Sequence, residues 1–140
     1  MISGSWDSTL RLWNMSTYQC VTVIKGVKCC DNNSIYQIDK DRVIVGGYNT
    51  FYIVNIDKCI IEKTIEDISL GTVNCFLKLR DNHTILCGCS DGKFCFYDMN
   101  TEEYKTTKNN HNSYISDILM IDDNTFLSCS NDKTIKLWKC

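Results

Sequence analysis

Long apolar stretches and long basic stretches are both missing from this sequence. No apolar run approaches the roughly 18 residues that a membrane-spanning helix needs. The net charge is −2 and no basic run occurs, so the charge pattern predicts neither a nucleic-acid partner nor a membrane partner. Residues 1–14 lack the basic start and apolar core of a signal peptide, which predicts a cytoplasmic chain. Helical periodicity is absent as well.

The composition is that of a folded domain. Of the 140 residues, 44% are hydrophobic and 11% are aromatic, which is enough to bury a core in a single domain spanning 1–140. Ten cysteines would suggest a disulfide framework in a secreted chain. Because no secretion signal is evident, we interpret them as reduced thiols.

One phrase of sequence recurs along the chain. The segment "DNHTILCGCSDGKFCFYD" (Asp81–Asp98) aligns without a gap to "DDNTFLSCSNDKTIKLWK" (Asp122–Lys139), at an offset of 41 residues. The opening segment "GSWDSTLRLWN" fits the same frame, and "DRVIVGGYNTFYIVNID" fits it with a turn one residue shorter. The equivalent strand-end positions are spaced by 41, 43 and 41 residues: Trp13, Val54, Tyr97 and Trp138. A period of about 40–45 residues is that of one four-stranded propeller blade.

Each repeat has the local pattern of β-strands. The segments "TLRLW", "KFCFY" and "TIKLW" alternate with a period of two and are bounded by Asp, Asn, Ser and Gly. The segments "TVNCFLKL" and "SYISDILMI" precede two of these phrases and are more continuously apolar, as expected of an innermost strand buried on both faces. We therefore predict an all-β chain of about 14 short antiparallel strands, in units of approximately 1–25, 26–67, 68–108 and 109–140.

These repeats resemble those of the WD-repeat (Trp-Asp repeat) β-propeller family over essentially the whole chain. The resemblance implies blades of four antiparallel strands, of which this chain holds about three and a half in an incomplete ring. It indicates a fragment of a longer propeller or a truncated product. The alternative is that the partial end blades meet and close a small four-bladed ring.

The resemblance also implies a buried hydrogen-bonded tetrad in the last repeat, formed by His111, Ser128, Asp132 and Trp138. The chemistry of such a group is coherent. A carboxylate accepts from an imidazole, the imidazole bonds a hydroxyl, and the hydroxyl accepts from an indole N–H. The other repeat-defining residues that it implies are Asp7, Trp13, Asp91 and Tyr97.

The middle repeats depart from this pattern. In the third repeat, Cys87 stands at the Ser position and Ser69 at the His position. In the second repeat the turn has no Asp, and Asn49 is the nearest substitute. Fewer polar partners predict weaker blades in the middle of the chain.

A Ser, a His and an Asp in one group raise the alternative of a hydrolase triad. A nucleophile needs an exposed hydroxyl beside an oxyanion hole. Since Ser128 is predicted on a strand beneath a tryptophan, we favour the structural interpretation and predict no enzymatic activity.

The cysteines raise a second alternative, a metal-binding or redox-responsive protein. Cys87 and Cys89 form a C-x-C pair with His83 nearby, and Cys29 and Cys30 are adjacent. However, the C-x₂-C spacing typical of structural zinc sites does not occur. Cysteines on predicted strands behave as small buried hydrophobes. We therefore predict no bound metal and no cofactor, and keep an exposed Cys29 or Cys30 as the candidate redox group.

The resemblance implies a non-catalytic scaffold that binds other proteins or peptides within a larger assembly. Members of the family bind partners through residues near the tight turns. The candidates here are Trp6, Ser90 and Asn131, which precede the turn aspartates, and Tyr114 at the entrance of the last blade. An exposed aromatic residue such as Trp6 is a suitable anchor for a partner.

Incomplete end blades leave strand edges unpaired, and unpaired edges pair with other chains. We therefore expect self-association through the open edges, with "TIKLW" (residues 134–138) as one of them. The same segment places Ile135 on an apolar face, which we expect to be packed.

Overall fold

The computed structural model describes residues 1–28, 35–67, 69–108 and 110–140. All regular secondary structure in these residues is β-structure, with 14 strands arranged as four antiparallel sheets. No helix among them is long and apolar enough to cross a membrane. The predicted all-β, partial-propeller class is confirmed.

The strands follow one another along the chain and pair in sequence within each sheet. The first sheet contains β1 (Ile2–Ser5), β2 (Thr9–Asn14) and β3 (Gln19–Lys25). The second contains β4 (Ile35–Gln37), β5 (Arg42–Gly47), β6 (Thr50–Asn55) and β7 (Ile60–Glu66). The third contains β8 (Val73–Lys78), β9 (Thr84–Cys89), β10 (Phe94–Asp98) and β11 (Tyr104–Thr106). The fourth contains β12 (Ile115–Asp122), β13 (Thr125–Ser130) and β14 (Ile135–Lys139).

The two three-stranded sheets each lack one strand of the four-stranded pattern, the first sheet the innermost strand and the fourth sheet the outer strand. By register, β1 is equivalent to β5, β9 and β13, so the first sheet has no counterpart of the innermost strands β4, β8 and β12. The fourth sheet has no counterpart of the outer strands β3, β7 and β11 among the described residues.

The tight turns repeat the same backbone conformation from sheet to sheet. In the turn that joins the equivalents of β1 and β2, one residue has a left-handed φ of 52–80° in all four sheets: Ser8, Asn49, Gly92 and Lys133. The next turn along the chain also contains such a residue in three sheets: Tyr18, Cys59 and Glu102. A positive φ is uncommon for residues other than glycine, so its recurrence at equivalent positions supports the repeat.

Each sheet has two faces that alternate along its strands. We call the face that carries the strand-end residue the tryptophan face, and these residues are Trp13, Val54, Tyr97 and Trp138. We call the other face the reverse face. At each junction, the reverse face of one sheet packs on the tryptophan face of the next, and three apolar clusters form the core there. Leu10 shares a cluster with Val54, and the ring pairs Phe51–Tyr97 and Phe94–Trp138 each have centroids 5.3 Å apart.

The arc of sheets does not close on itself. Among the described residues, no apolar cluster contains side chains of both the first and the fourth sheet. Closure into a small four-bladed ring is therefore not the arrangement of this structure.

The expectation that Ile135 is packed is wrong, because its side chain is 68% exposed. The fourth sheet packs on the third through its tryptophan face, which leaves the reverse face and Ile135 uncovered.

Candidate functional site

The structure brings the four residues of the last repeat together. Ser128 lies on β13, Trp138 on β14, Asp132 in the turn between them, and His111 before β12. Nδ1 of His111 lies 2.9 Å from a carboxylate oxygen of Asp132, and Nε2 lies 2.6 Å from the hydroxyl of Ser128. The indole N–H of Trp138 donates to the same hydroxyl at 2.8 Å. Ser128 is fully buried and His111 nearly so. The four residues therefore form one continuous chain of hydrogen bonds.

The Asp132 carboxylate is the most heavily bonded acceptor of this group. It accepts from the Thr134 hydroxyl at 2.5 Å, and also from the backbone N–H groups of Asn112 and Thr134. The Thr134 hydroxyl bond is the largest of several that hold the pKa of Asp132 well below its usual range. Asp132 therefore stays ionised and joins the turn to the segment before β12. Thr134 was not singled out from the sequence.

The first sheet contains a similar set of bonds without a histidine. The indole N–H of Trp13 donates to the Ser3 hydroxyl at 2.8 Å. Asp7 accepts from the hydroxyl and the backbone N–H of Thr9. Ser3 and Thr9 were also not singled out, although both lie 125 residues before their counterparts in the last repeat. The same offset that relates Trp13 to Trp138 would have found them.

The middle repeats have different contacts at these positions. In the third sheet, Asp91 pairs with the ammonium group of Lys93 at 2.5 Å. Cys87 and Tyr97 are buried in the core. Ser69 is exposed and donates to Asp67 at 2.8 Å. In the second sheet, Val54 is buried, and the backbone of Asn49 bonds both Gly71 and Asp67.

The cysteines that suggested a metal site do not converge with the histidine. Cys87 and Cys89 are buried on β9, and burial raises the pKa of each thiol. His83 precedes the opposite end of that strand, beside Asp81 and Asp98. In the part of the chain that the structure describes, no group of three or more Cys, His, Asp or Glu side chains could hold a metal ion. Cys29 and Cys30 lie outside the described residues.

The tight turns form one end of the molecule, which we call the turn-end surface. It consists of the turns β1–β2, β5–β6, β9–β10 and β13–β14, which lie side by side because the four sheets stack in the same orientation. Two large aromatic side chains project from neighbouring turns. Trp6 is 70% exposed and Tyr48 is 66% exposed. Tyr48 precedes Asn49 as Trp6 precedes Asp7, but it was not predicted, since the shorter second turn obscured the alignment.

The other predicted partner-binding residues also lie at this end. Asn131 is exposed, and its backbone N–H donates to the carbonyl of Tyr114 at 3.1 Å. Ser90 is partly buried, and its hydroxyl accepts from the backbone N–H of Thr72 at 2.9 Å. The Ser90 hydroxyl thus has a bond that holds the local backbone, whereas the Asn131 residue is exposed to solvent.

A cleft of about 310 Å³ adjoins Tyr48. Its remaining lining is mainly polar and includes charges of both signs: Lys28, Asn49, Thr50, Tyr52, Glu66 and Asp67. Asp67 accepts from the Tyr104 hydroxyl at 2.6 Å, a bond that lowers the pKa of Asp67 and raises that of Tyr104 to about 12. The second and third sheets are therefore held together at the rim of this cleft.

Four stacked antiparallel sheets with a repeated turn and a buried polar tetrad define a partial β-propeller. The family model "WD domain, G-beta repeat" matches residues 1–14 and 102–139. The matched segments are those of the WD-repeat family, whose members are generally non-catalytic scaffolds.

Relatives and a solved structure agree with this family and fold. The chain is 30% identical over 155 residues to eukaryotic translation initiation factor 3 subunit I of Aspergillus oryzae, covering 98% of this chain and 45% of that protein. It is 24% identical over 146 residues to the WD repeat-containing protein 55 homolog of Dictyostelium discoideum, covering 97% and 33%. It thus spans less than half the length of either relative. The crystal structure of the computationally designed Ika4 protein has the same fold, with a TM-score of 0.76 at 20% identity, covering 99% of this chain and 83% of that one.

Proposed function

We propose that this chain is a non-catalytic scaffold that binds another protein or a peptide at its turn-end surface. The observation that supports the proposal is the pair of exposed aromatic side chains, Trp6 and Tyr48, on neighbouring turns. Tyr and Trp are enriched among the residues that contribute most to binding, since each buries a large area with few rotatable bonds.

The cleft beside Tyr48 suits a polypeptide of mixed polarity. Lys28, Glu66 and Asp67 line it with charges of both signs. A polar rim around aromatic anchors is the usual composition of a protein-binding surface. An extended peptide could bury apolar side chains against Trp6 and Tyr48 while its polar groups bond the rim.

The tetrad has a structural role in this proposal. A triad nucleophile must reach a substrate. The Ser128 hydroxyl is fully buried and already bonds both His111 and Trp138, so no substrate has access to it. We assign the hydrogen bonds of this group to the stability of the fourth sheet.

The chain acts within a larger assembly, as a subunit or a recognition module. One relative is by name a subunit of a translation initiation factor, which supports this setting. Its location is the cytoplasm, its partners are neither nucleic acid nor membrane, and it needs no cofactor. The net charge of −2 supports the absence of a nucleic-acid partner and of a membrane partner. The proposal also includes association of the chain with itself through the open strand edges of its terminal sheets.

A peptide-library selection tests the proposal. The purified 140-residue chain is used to select binders from a random displayed library, and the selected peptides are synthesised and titrated by calorimetry. We expect Trp6→Ala and Tyr48→Ala each to weaken binding by at least about 10-fold, as the loss of a major anchor does. The matched control is Tyr18→Ala, an aromatic residue that is 79% exposed but lies in the β2–β3 turn at the opposite end.

Binding that is equally sensitive to Tyr18→Ala would contradict the turn-end surface as the binding site. A library that yields no binder above background would contradict the peptide-binding function itself.

A further inference from the structure

The cleft beside Tyr48 contains a buried hydroxyl group that no described residue bonds. Thr50 lines this cleft and is only 4% exposed. Within the described part of the chain, its hydroxyl has no hydrogen-bond partner. Because nearly all buried polar groups in proteins have such a partner, this hydroxyl indicates a bonding group that the chain itself does not supply.

The equivalent residue in each of the other three sheets bonds a carboxylate of its own turn. The hydroxyl of Thr9 donates to Asp7 at 2.6 Å, and the hydroxyl of Thr134 donates to Asp132 at 2.5 Å. In the third sheet a lysine takes this position, and its ammonium group lies 2.5 Å from the carboxylate of Asp91. A carboxylate oxygen is therefore the usual partner of the first residue after the tight turn.

The turn of the second sheet cannot supply that oxygen. Only Tyr48 and Asn49 lie between the paired residues Gly47 and Thr50, and neither has a carboxyl group. The turn of the first sheet has three residues at this place, and one of them is Asp7. Glycine at position 47 also leaves space beside Thr50, since a Cβ there would lie 2.8 Å from the Thr50 Cγ2 atom. The cleft thus adjoins the place where the other turns hold a carboxylate.

Two charged side chains of the cleft are available to a ligand. Glu66 is directly opposite Thr50 in the pairing of β6 with β7, so the two side chains lie on the same face of the sheet. Lys28 supplies the positive charge of the lining. Both residues are exposed, and neither forms an ion pair with another described residue. Asp67, the third charged group of the lining, already accepts from the Tyr104 hydroxyl.

We propose that the cleft binds the side-chain carboxamide of an asparagine or glutamine in the partner polypeptide. This inference rests on the proposed function, because it names the group that the turn-end surface recognises. The carboxamide oxygen accepts from the Thr50 hydroxyl and the Lys28 ammonium group, and the carboxamide N–H donates to the Glu66 carboxylate. The cleft volume of about 310 Å³ is at the lower end of the range for ligand pockets, which suits a single side chain.

The charges of the lining favour a neutral group over an acidic or a basic one. A carboxylate would accept from Thr50, but it would add a third negative charge beside Glu66 and Asp67. An ammonium or guanidinium group has no acceptor, so it would not replace the oxygen that the equivalent threonine hydroxyls bond. A carboxamide both accepts and donates without adding a charge, and it therefore suits the hydroxyl and the two charged groups together.

Displayed heptapeptide libraries that differ only in one fixed central residue test the inference. The central residue is glutamine, glutamate, lysine or leucine, and the other positions are random. We expect the purified 140-residue chain to select binders mainly from the glutamine library. In the tightest of these peptides, replacement of the central glutamine by glutamate, lysine or leucine should weaken binding by at least about 10-fold, as measured by calorimetry, because the polar groups of the site then lack their partners.

Variants of the chain assign the preference to the cleft. Thr50→Val removes the hydroxyl and should weaken binding of the glutamine peptide by about 3–10-fold, the loss of one hydrogen bond. The variant should be at least as stable as the wild type, because this hydroxyl bonds no described residue of the free chain. Glu66→Gln should narrow the preference for the glutamine peptide over its glutamate version, because it removes a negative charge. The control Thr64→Val, at an exposed residue of β7 outside the cleft, should change neither result.

Two results would overturn the inference and leave the proposed function in place. The first is that binders come equally or preferentially from the glutamate, lysine or leucine library, which would assign an acidic, basic or apolar group to the cleft. The second is a glutamine peptide whose affinity is the same for the wild type and for Thr50→Val. The absence of binders from all the libraries would contradict the proposed function itself, and this inference with it.

Discussion

Removal of the Ser128 hydroxyl should destabilise the chain more than removal of any exposed serine hydroxyl. Ser128→Ala leaves Nε2 of His111 and the indole N–H of Trp138 without their shared partner. His111 is buried and has no access to water there, whereas Trp138 is partly exposed. An unpaired buried polar group costs about 1–3 kcal/mol, so we expect a loss of about 2 kcal/mol in the free energy of unfolding.

Urea unfolding followed by tryptophan fluorescence measures this loss. The matched control is Ser116→Ala, the same substitution at an exposed side chain in the same sheet, which should change stability by less than about 0.5 kcal/mol. The slope of the free energy against urea should be similar in both variants, since neither changes the surface exposed on unfolding by much.

A double-mutant cycle with Trp138→Phe assigns the loss to the bond itself. Phenylalanine has no indole N–H, so Ser128→Ala should cost about 1 kcal/mol less in that background than in the wild type. If Ser128→Ala and Ser116→Ala unfold at the same urea concentration, or if the cycle shows no coupling, the inferred hydrogen-bonded group does not stabilise the fourth sheet.

Two further predictions concern groups that titrate. Because the bond to Asp67 raises the pKa of Tyr104 to about 12, its stabilisation should be complete below pH 10 and lost between pH 10 and 12. Tyr104→Phe should therefore be less stable than the wild type at pH 8, and this difference should shrink as the pH rises from 10 through 12; a constant difference across this range would contradict the assignment. Alkylation with mass-spectrometric detection should label the exposed Cys20 and Cys140 in the native chain but Cys87 only after unfolding. Rapid native labelling of Cys87 would contradict its burial.

The features that the sequence predicts well are those that repeat. The alternation in residues 9–13 and 134–138 predicts strands, because polar and apolar neighbours on opposite faces suit a half-buried sheet. The offset of 41 residues predicts which turns and strands are equivalent, and the resemblance to WD repeats implies the tetrad in the last of them. Tyr48 was missed because the shorter second turn shifts the alignment by one residue. Ile135 was misplaced because an alternating strand shows which residues share a face but not which face a neighbour covers.

Hydrogen exchange of the chain with and without a selected peptide tests the central claim, that the turn-end surface is the binding site. We predict slower exchange on binding in the turns around Trp6 and Tyr48 and in the strand end near Glu66. The β2–β3 turn around Tyr18, at the opposite end, should exchange at an unchanged rate. Protection confined to that opposite end, or to the reverse face around Leu137, would contradict the account.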